Sequence, residues 1–510
     1  MRGLVLLAFD CFSRLDVIEV MNEKFEKGME KLCRWTLKRC TALELEDPER
    51  TANAPISKAF HYLRQRPIYL QHCVDELVMQ RRIKLVAGFL RSVSSGQSFE
   101  SGGRDFKQDV PIEDPVRFVS DMLAWIHQSV ASENDLLLEL FSTHEETRTP
   151  RKSSEIISGA IQSHIDKTFD ALTNSLKSRV TNVMSYLSTS SRPALGFGSS
   201  PALACYQIYS LLVFYQSVFK SLFSSDSSFL QCMDSACRDS SQTLYSIIRA
   251  EGDHLVNSIP IPSDDLCATD SIVEYIDQVS EILQTFESSL AMVSEETHES
   301  GGSSNLLDLR FFLSALIDPI LAAVGEGSRA IKLNSSSTAI FHANVLGLVQ
   351  LNLKRFEFAT IKNETISLEL NEWISAFVKD QVHKVLSVSG ILEKLKILES
   401  RPQESKLCEL EGMDSASLKS SIRLFYETLS SSSRSDLKRL VSKSVALFAQ
   451  CEQLQFQHLR IKARRQIAES IVTCYSSLYQ AIQDPSNGYS DLEQLLQYSP
   501  ENISMLLEAP

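Results

Sequence analysis

Apolar positions recur along this chain at helical spacing almost throughout. From Asp114-Pro115 onward, Val119, Met122, Leu123, Ile126, Val130, Leu137, Leu140 and Phe141 follow i, i+3, i+4, i+7 steps, which is one buried stripe on one helix. Asp114 suits the N-cap and Pro115 the first helical position. Similar stripes predict helices over 15–46, 56–64, 69–94, 154–188, 202–223, 227–257, 270–294, 304–323, 339–354 and 364–398. The last of these carries Leu370, Trp373, Ile374, Phe377, Val378, Val382, Val385 and Leu386. A break at 430–433 precedes a stripe of Leu437, Leu440, Val441, Val445 and Phe448. A further long helix ends near 483, where Asp484-Pro485-Ser486-Asn487-Gly488 supplies stop and turn chemistry. Ser-, Gly- and Pro-rich stretches at 92–103, 188–201, 258–265, 298–304 and 325–338 separate the elements.

There is no run of period-two strands and no βαβ alternation. Helices with a single apolar stripe must bury it on neighbours, so the predicted fold is all-α, an elongated rod of stacked antiparallel helical bundles. The polar stretch 143–153 and the Gly/Ser stretch 325–338 suggest three regions. These are an N-terminal helical region over 1–150, a central bundle over 151–338 and a C-terminal bundle over 339–510.

Composition agrees with this pattern. Gly and Pro number 18 and 15 in 510 residues, about half the usual share, too few for the frequent turns of an all-β fold. With 51 Lys and Arg against 64 Asp and Glu, the net charge is −13. A general nucleic-acid binder needs a basic face, so nucleic acid is not an expected partner. The eleven Cys are scattered, odd in number and never spaced CxxC, which points to a reducing cytosolic compartment. The three Asn-X-Ser/Thr matches, at Asn334, Asn363 and Asn502, are then chance. No apolar run is expected to span a membrane, so membrane contact is expected to be peripheral. Residues 1–14 imitate a signal peptide until Asp10 interrupts the apolar core, and they read better as a helix end.

Candidate chemistry is sparse. No HExxH, no zinc-spaced Cys pair and no His pair at i, i+4 occur. Gly325-Glu326-Gly327 and Gly196-Phe197-Gly198 follow no strand, so neither reads as a phosphate cradle or nucleophile elbow. The expectation is a protein with no catalytic residues, no cofactor and no metal. Two places break the local pattern. At 100° per residue, Glu133 falls about 40° from Val119, on the buried stripe of its helix. A carboxylate there needs a donor, or else the stripe opens to solvent at that level. Residues 434–465 hold eight Lys or Arg against Asp436 and Glu452. Arg460 and Arg464 continue the azimuth of Ile471, Tyr475, Leu478 and Ile482. Arg460, Lys462, Arg464 and Arg465 are therefore the candidate partner-binding residues, weighed against an ordinary solvated helix face.

The stretch from Asp114-Pro115-Val116-Arg117-Phe118-Val119-Ser120-Asp121-Met122-Leu123-Ala124-Trp125-Ile126-His127-Gln128 to Glu133 resembles the signature block of the sixth subunit of the conserved oligomeric Golgi complex. Leu32-Cys33-Arg34-Trp35, Arg66-Pro67-Ile68-Tyr69 through Arg91, and Tyr479 through Tyr489 are similar to other stations of that family, in the same order. Phe118 and Ser120 stand where the family carries Tyr and Gly, and 190–340 is divergent. The resemblance implies a non-enzymatic tether subunit in a chain of helical bundles, peripheral on the cytosolic face of the Golgi membrane and acting in intra-Golgi retrograde transport. It also implies partners: the other subunits of that complex, SNARE-type fusion proteins, and small GTPases or coat proteins. The family's N-terminal coiled coil, through which subunits assemble, is expected to be missing from this chain. The rival readings are a generic α-helical scaffold or adaptor and a helical enzyme with an unrecognised site.

Overall fold

The computed structural model describes residues 2–42, 53–95, 114–141, 152–189, 200–296, 308–400, 406–433, 448–490 and 492–508. Every regular element among the described residues is helical. The residues fall into two compact units, one of 1–247 with 289–305, the other of 248–288 with 306–510. The expected stripe from Leu437 to Val445 lies outside the described residues.

The first unit begins with α1 (Arg2–Ala42), α2 (Asn53–Leu63), α3 (Pro67–Ser95) and α4 (Pro115–Phe141). The predicted end at 46 lies outside the described residues, and residues 2–14 belong to α1 itself. Helix α4 starts as its sequence dictates: Asp114 Oδ1 accepts from the Arg117 N–H at 2.9 Å, and Pro115 opens the helix. Its far end is closed by Arg64, in the turn after α2, which donates to the Phe141 carbonyl at 2.6 Å. Val119, Leu123, Ile126, Val130 and Leu137 are fully buried.

The stretch 154–188 is not one helix. A short 3-10 turn over Asp170–Leu172 divides it into α5 (Lys152–Phe169) and α6 (Thr173–Thr189). Then come α7 (Pro201–Lys220), capped by Ser200, and α8 (Ser228–Asn257), which belongs to this unit up to residue 247. Phe169, Phe219, Phe223 and Phe229 pack ring on ring between these elements, with Phe223 and Phe229 stacked at 4.8 Å. Helix α7 corrects one expectation: by length and composition it is apolar enough to cross a membrane. More than half of it is buried in the unit, and that burial accounts for its apolar character.

The second unit holds α9 (Asp270–Glu296) up to residue 288, α10 (Leu309–Ala330), α11 (Ser335–Leu353), α12 (Thr360–Val388), α13 (Ile391–Glu399), α14 (Ser415–Ser433), α15 (Gln457–Gln483), α16 (Leu492–Leu495) and α17 (Pro500–Glu508). Asp308, Asn334 and Asp414 each cap the helix that follows. Helices α11 and α12 form an antiparallel pair, with Gln350 on Ser367, His342 stacked on Trp373 at 4.0 Å, and Gln381 on Ser336.

Three sequence expectations fail in this unit for physical reasons. Helix α10 runs through Gly325 and Gly327 instead of ending at 323. A Cβ at Gly327 would lie 2.2 Å from the Pro260 carbonyl oxygen, so this glycine permits a close backbone approach rather than a turn. The stretch 364–398 is broken at Gly390, whose φ of +73° ends α12 and starts α13. The run at 430–433, expected as a break, is helical and forms the last residues of α14.

Candidate partner-binding surfaces

Glu133 lies within the core of the first unit, 2 % exposed. Its partner is Arg81 of α3, equally buried. Arg81 Nε donates to Oε1 at 3.1 Å and to Oε2 at 2.9 Å, and Nη2 donates to Oε2 at 2.5 Å. Helices α3 and α4 run antiparallel here, since Phe89 also meets Trp125 at 5.7 Å. The planar guanidinium offers its donors in a fork that matches a carboxylate. His164 of α5 packs against Phe141 nearby. Burial, then Lys167, lowers its pKa to about 4, so the ring is neutral at pH 7. Arg81 also interrupts an apolar stripe, that of Cys73, Leu77, Leu85 and Phe89. Two opposite charges interrupting the stripes of neighbouring helices are the sequence signal for the pair. With both side chains no more than 3 % exposed, this is a packing element.

The basic residues lie at the start of α15. The buried stripe of α15 passes through Leu459, Ala463, Ile467, Ile471, Tyr475, Leu478 and Ile482. Arg460 and Arg464 therefore lie beside the stripe, because Ala463 and Leu459 continue it by i−4 steps. Both arginines pair with Glu452, and Arg464 covers the Phe448 ring. Lys462 donates to Asn371 of α12. Arg465 pairs with Glu469 at 2.7 Å, with both side chains exposed. The structure thus gathers the four residues at one end of one helix, and two acidic residues offset part of their charge. Ile461 stands among them, 59 % exposed. The other four basic residues of the run, at 434, 438, 439 and 443, lie outside the described residues.

A surface that sequence reasoning missed lies on α1. From Met29 to Cys40 this helix buries Met29, Cys33, Thr36 and Cys40, facing α3. Glu26 meets Arg66 at 2.6 Å at the start of that contact. Before it, Val17, Ile18, Val20 and Met21 are each at least half exposed, and Phe25 is 40 % exposed beneath the Arg66 guanidinium. In sequence, this half of the stripe is indistinguishable from the half that packs.

A groove of about 390 Å³ separates α6 and α8, with Thr181, Ser185, Ser240 and Thr243 among its lining. It holds no convergent set of ionisable groups. Among the described residues, no three His, Cys, Asp or Glu are grouped to hold a metal ion. Helix surfaces are therefore the features with binding potential.

The family model described as Conserved Oligomeric Golgi complex subunit 6, C-terminal, matches residues 13–507. The chain belongs to that family. The Arabidopsis thaliana conserved oligomeric Golgi complex subunit 6 is 25 % identical over 536 residues, covering 97 % of this chain and 73 % of the relative. The Rattus norvegicus and Homo sapiens subunits are 24 % and 23 % identical over 495 residues, covering 97 % of this chain and 68 % of each relative. Among solved structures, the S. cerevisiae exocyst component Exo70p superposes with a TM-score of 0.58 at 12 % identity, over 94 % of this chain and 87 % of that one. At that identity the likeness concerns the fold alone, and it is all-α. As a family member the chain is a non-enzymatic subunit of a Golgi vesicle-tethering complex.

Proposed function

We propose that this subunit assembles with the other subunits of the complex through the exposed apolar face of α1. We further propose that it meets acidic partners of the SNARE type through the start of α15. It works peripherally on the cytosolic face of the Golgi membrane, in intra-Golgi retrograde transport. Small GTPases or coat proteins are further partners in this reading. The supporting observation is the unshared half of α1: Val17, Ile18, Met21 and Phe25 lie exposed on a helix whose other half is packed. Contiguous exposed apolar side chains mark interaction sites, and an amphipathic helix is read by its i, i+3, i+4, i+7 anchors.

The double substitution Ile18→Glu with Met21→Glu tests the first part. It should abolish recovery of partner subunits from cells while far-ultraviolet circular dichroism stays unchanged. Full recovery of those subunits by the variant refutes the reading. For α15, Lys462→Gln with Arg465→Gln is the test, because it leaves the pairing of Arg460 and Arg464 with Glu452 in place. Loss of salt-sensitive binding to acidic partners is expected, because rim charges act mainly on association rate. Unaltered binding at low salt would reduce the basic cluster to a solvated helix face.

A further inference from the structure

Seven residues apart on the packed face of α1, Cys33 and Cys40 are both buried, as is Cys73 of α3. The Cys33 and Cys73 sulfurs lie 3.6 Å apart. Each also points at backbone of the opposite helix: Cys33 Sγ donates to the Tyr69 carbonyl at 3.9 Å, and Cys73 Sγ to the Cys33 carbonyl at 3.8 Å. The two side chains therefore face each other across the α1–α3 contact. The bond length of a disulfide is about 2.05 Å, so the sulfurs need to close by only about 1.5 Å. Cys40 lies on the same face, near enough to raise the Cys73 pKa. Burial raises the pKa of Cys73 above the ordinary thiol value and pushes Cys40 up to about 12, so both stay protonated thiols while the helices are packed. Buried in the contact, the Cys73 thiol is thus dormant, and the pair becomes reachable by an oxidant when α1 lifts from α3.

We propose that Cys33 and Cys73 are a latent redox staple, closed to a disulfide by peroxide and opened by thiol reductants, that fixes the root of α1 to α3. The chemistry balances with hydrogen peroxide as the oxidant. One sulfur, as thiolate, attacks a peroxide oxygen; the O–O bond breaks, leaving a sulfenic acid and one water once the proton is returned. The second sulfur then attacks that sulfenic sulfur, the S–S bond forms, and the hydroxyl leaves with the remaining thiol proton as a second water. Two thiols and one peroxide thus give one disulfide and two waters. The inference concerns the α1–α3 contact and stands whichever partner α1 binds.

The full chain, treated with millimolar hydrogen peroxide and then alkylated, is digested and read by mass spectrometry. The expected product is a peptide pair joined through Cys33 and Cys73, lost on reduction, absent from Cys33→Ser and Cys73→Ser, and retained in Cys40→Ser. Its yield should rise several-fold at urea concentrations below the unfolding transition, where α1 opens locally. Hydrogen exchange of α1 and α3 peptides should be slower in the oxidised chain than in the reduced one. Two results overturn the proposal: both cysteines alkylated at every such urea concentration, or linkage through Cys40 as frequent as linkage through Cys33.

Discussion

Replacing Glu133 by Ala removes one half of a buried ion pair and leaves the other in place. Arg81 is 2 % exposed and donates to both carboxylate oxygens. In Glu133→Ala the carboxylate that accepts three of its hydrogen bonds is replaced by a methyl group, while α3 and α4 stay packed around the guanidinium. Truncating one partner of such a pair costs about 3–5 kcal/mol, far above the loss of one neutral hydrogen bond. Glu133→Gln keeps the shape and one acceptor but loses the charge, so a smaller cost of about 2 kcal/mol is expected. Replacing both residues, as Arg81→Met with Glu133→Leu, removes both desolvation costs at once and should lie within about 1–2 kcal/mol of the parent. The two compact units make a whole-chain melt an ambiguous reporter, so hydrogen exchange of α3 and α4 peptides is the better assay. A 3 kcal/mol loss speeds exchange through opening of this region by about two orders of magnitude. A double variant as destabilised as Glu133→Ala would refute the argument, since the cost would then lie in lost shape rather than an orphaned charge.

Other outcomes follow from single features. Burial lowers the pKa of His164 to about 4; the unfolded chain therefore takes up a proton between about pH 6.5 and 4 that the folded chain refuses, so stability falls as pH falls through that window. At pH 5 the loss should reach about 2 kcal/mol, read as faster exchange of α5, and His164→Phe should remove most of it. His342, with its pKa also lowered by burial to about 4, predicts the same slope for α11. Gly390→Ala forces a Cβ into a φ of +73° and within 3.2 Å of Ser421 Oγ, so a loss of about 1–2 kcal/mol is expected, read as faster exchange at the α12–α13 junction. Gly327→Ala must displace the Pro260 carbonyl, 2.2 Å from the new atom; a cost of about 1–3 kcal/mol, read by exchange in α10, would accompany that overpacking.

The start of α4 was legible because cap and stripe agreed: Asp114-Pro115 stands at that helix start in the structure. Asp308 and Asn334 also cap helices, but periodicity alone placed those starts at 304 and 339, a few residues off. The failures share one cause: a local signal whose meaning is set by a distant neighbour. Gly327 has the composition of a turn, yet it is a helical position over which Pro260 passes. Gly390 interrupts a run of apolar residues that continues smoothly on either side, so periodicity alone cannot register the left-handed residue. In α15 the arginines seemed to extend the stripe because Ala463, too small to stand out, carries it instead. Glu133 was conspicuous because a carboxylate on a buried stripe must be paired, but its partner lies 52 residues earlier and only the fold brings it there.

Why the exposed face of α1 is the strongest candidate for assembly follows from comparing its two halves. Both carry apolar residues at helical spacing, so local propensity alone gives each the same tendency to stay helical. The second half reduces its exposed apolar surface by packing Met29, Cys33, Thr36 and Cys40 toward α3. In the first half, among the described residues, Val17, Ile18 and Met21 remain more than half exposed, and Arg66 lies over Phe25. Scattered exposed apolar side chains are ordinary, but four large ones within five positions, followed by Phe25, form a contiguous strip. The basic start of α15 differs in kind. Its cations are partly answered by Glu452 and Glu469, so it offers modest charge and a single exposed Ile461. The apolar strip gains free energy from any complementary helix by removing surface from water, whereas the charged cluster contributes chiefly to the rate and choice of encounter. In the proposed assembly, α1 would supply binding strength and α15 selectivity. Ile18→Glu with Met21→Glu should accordingly raise the dissociation rate, while the α15 variants should act through association and lose their effect at high salt.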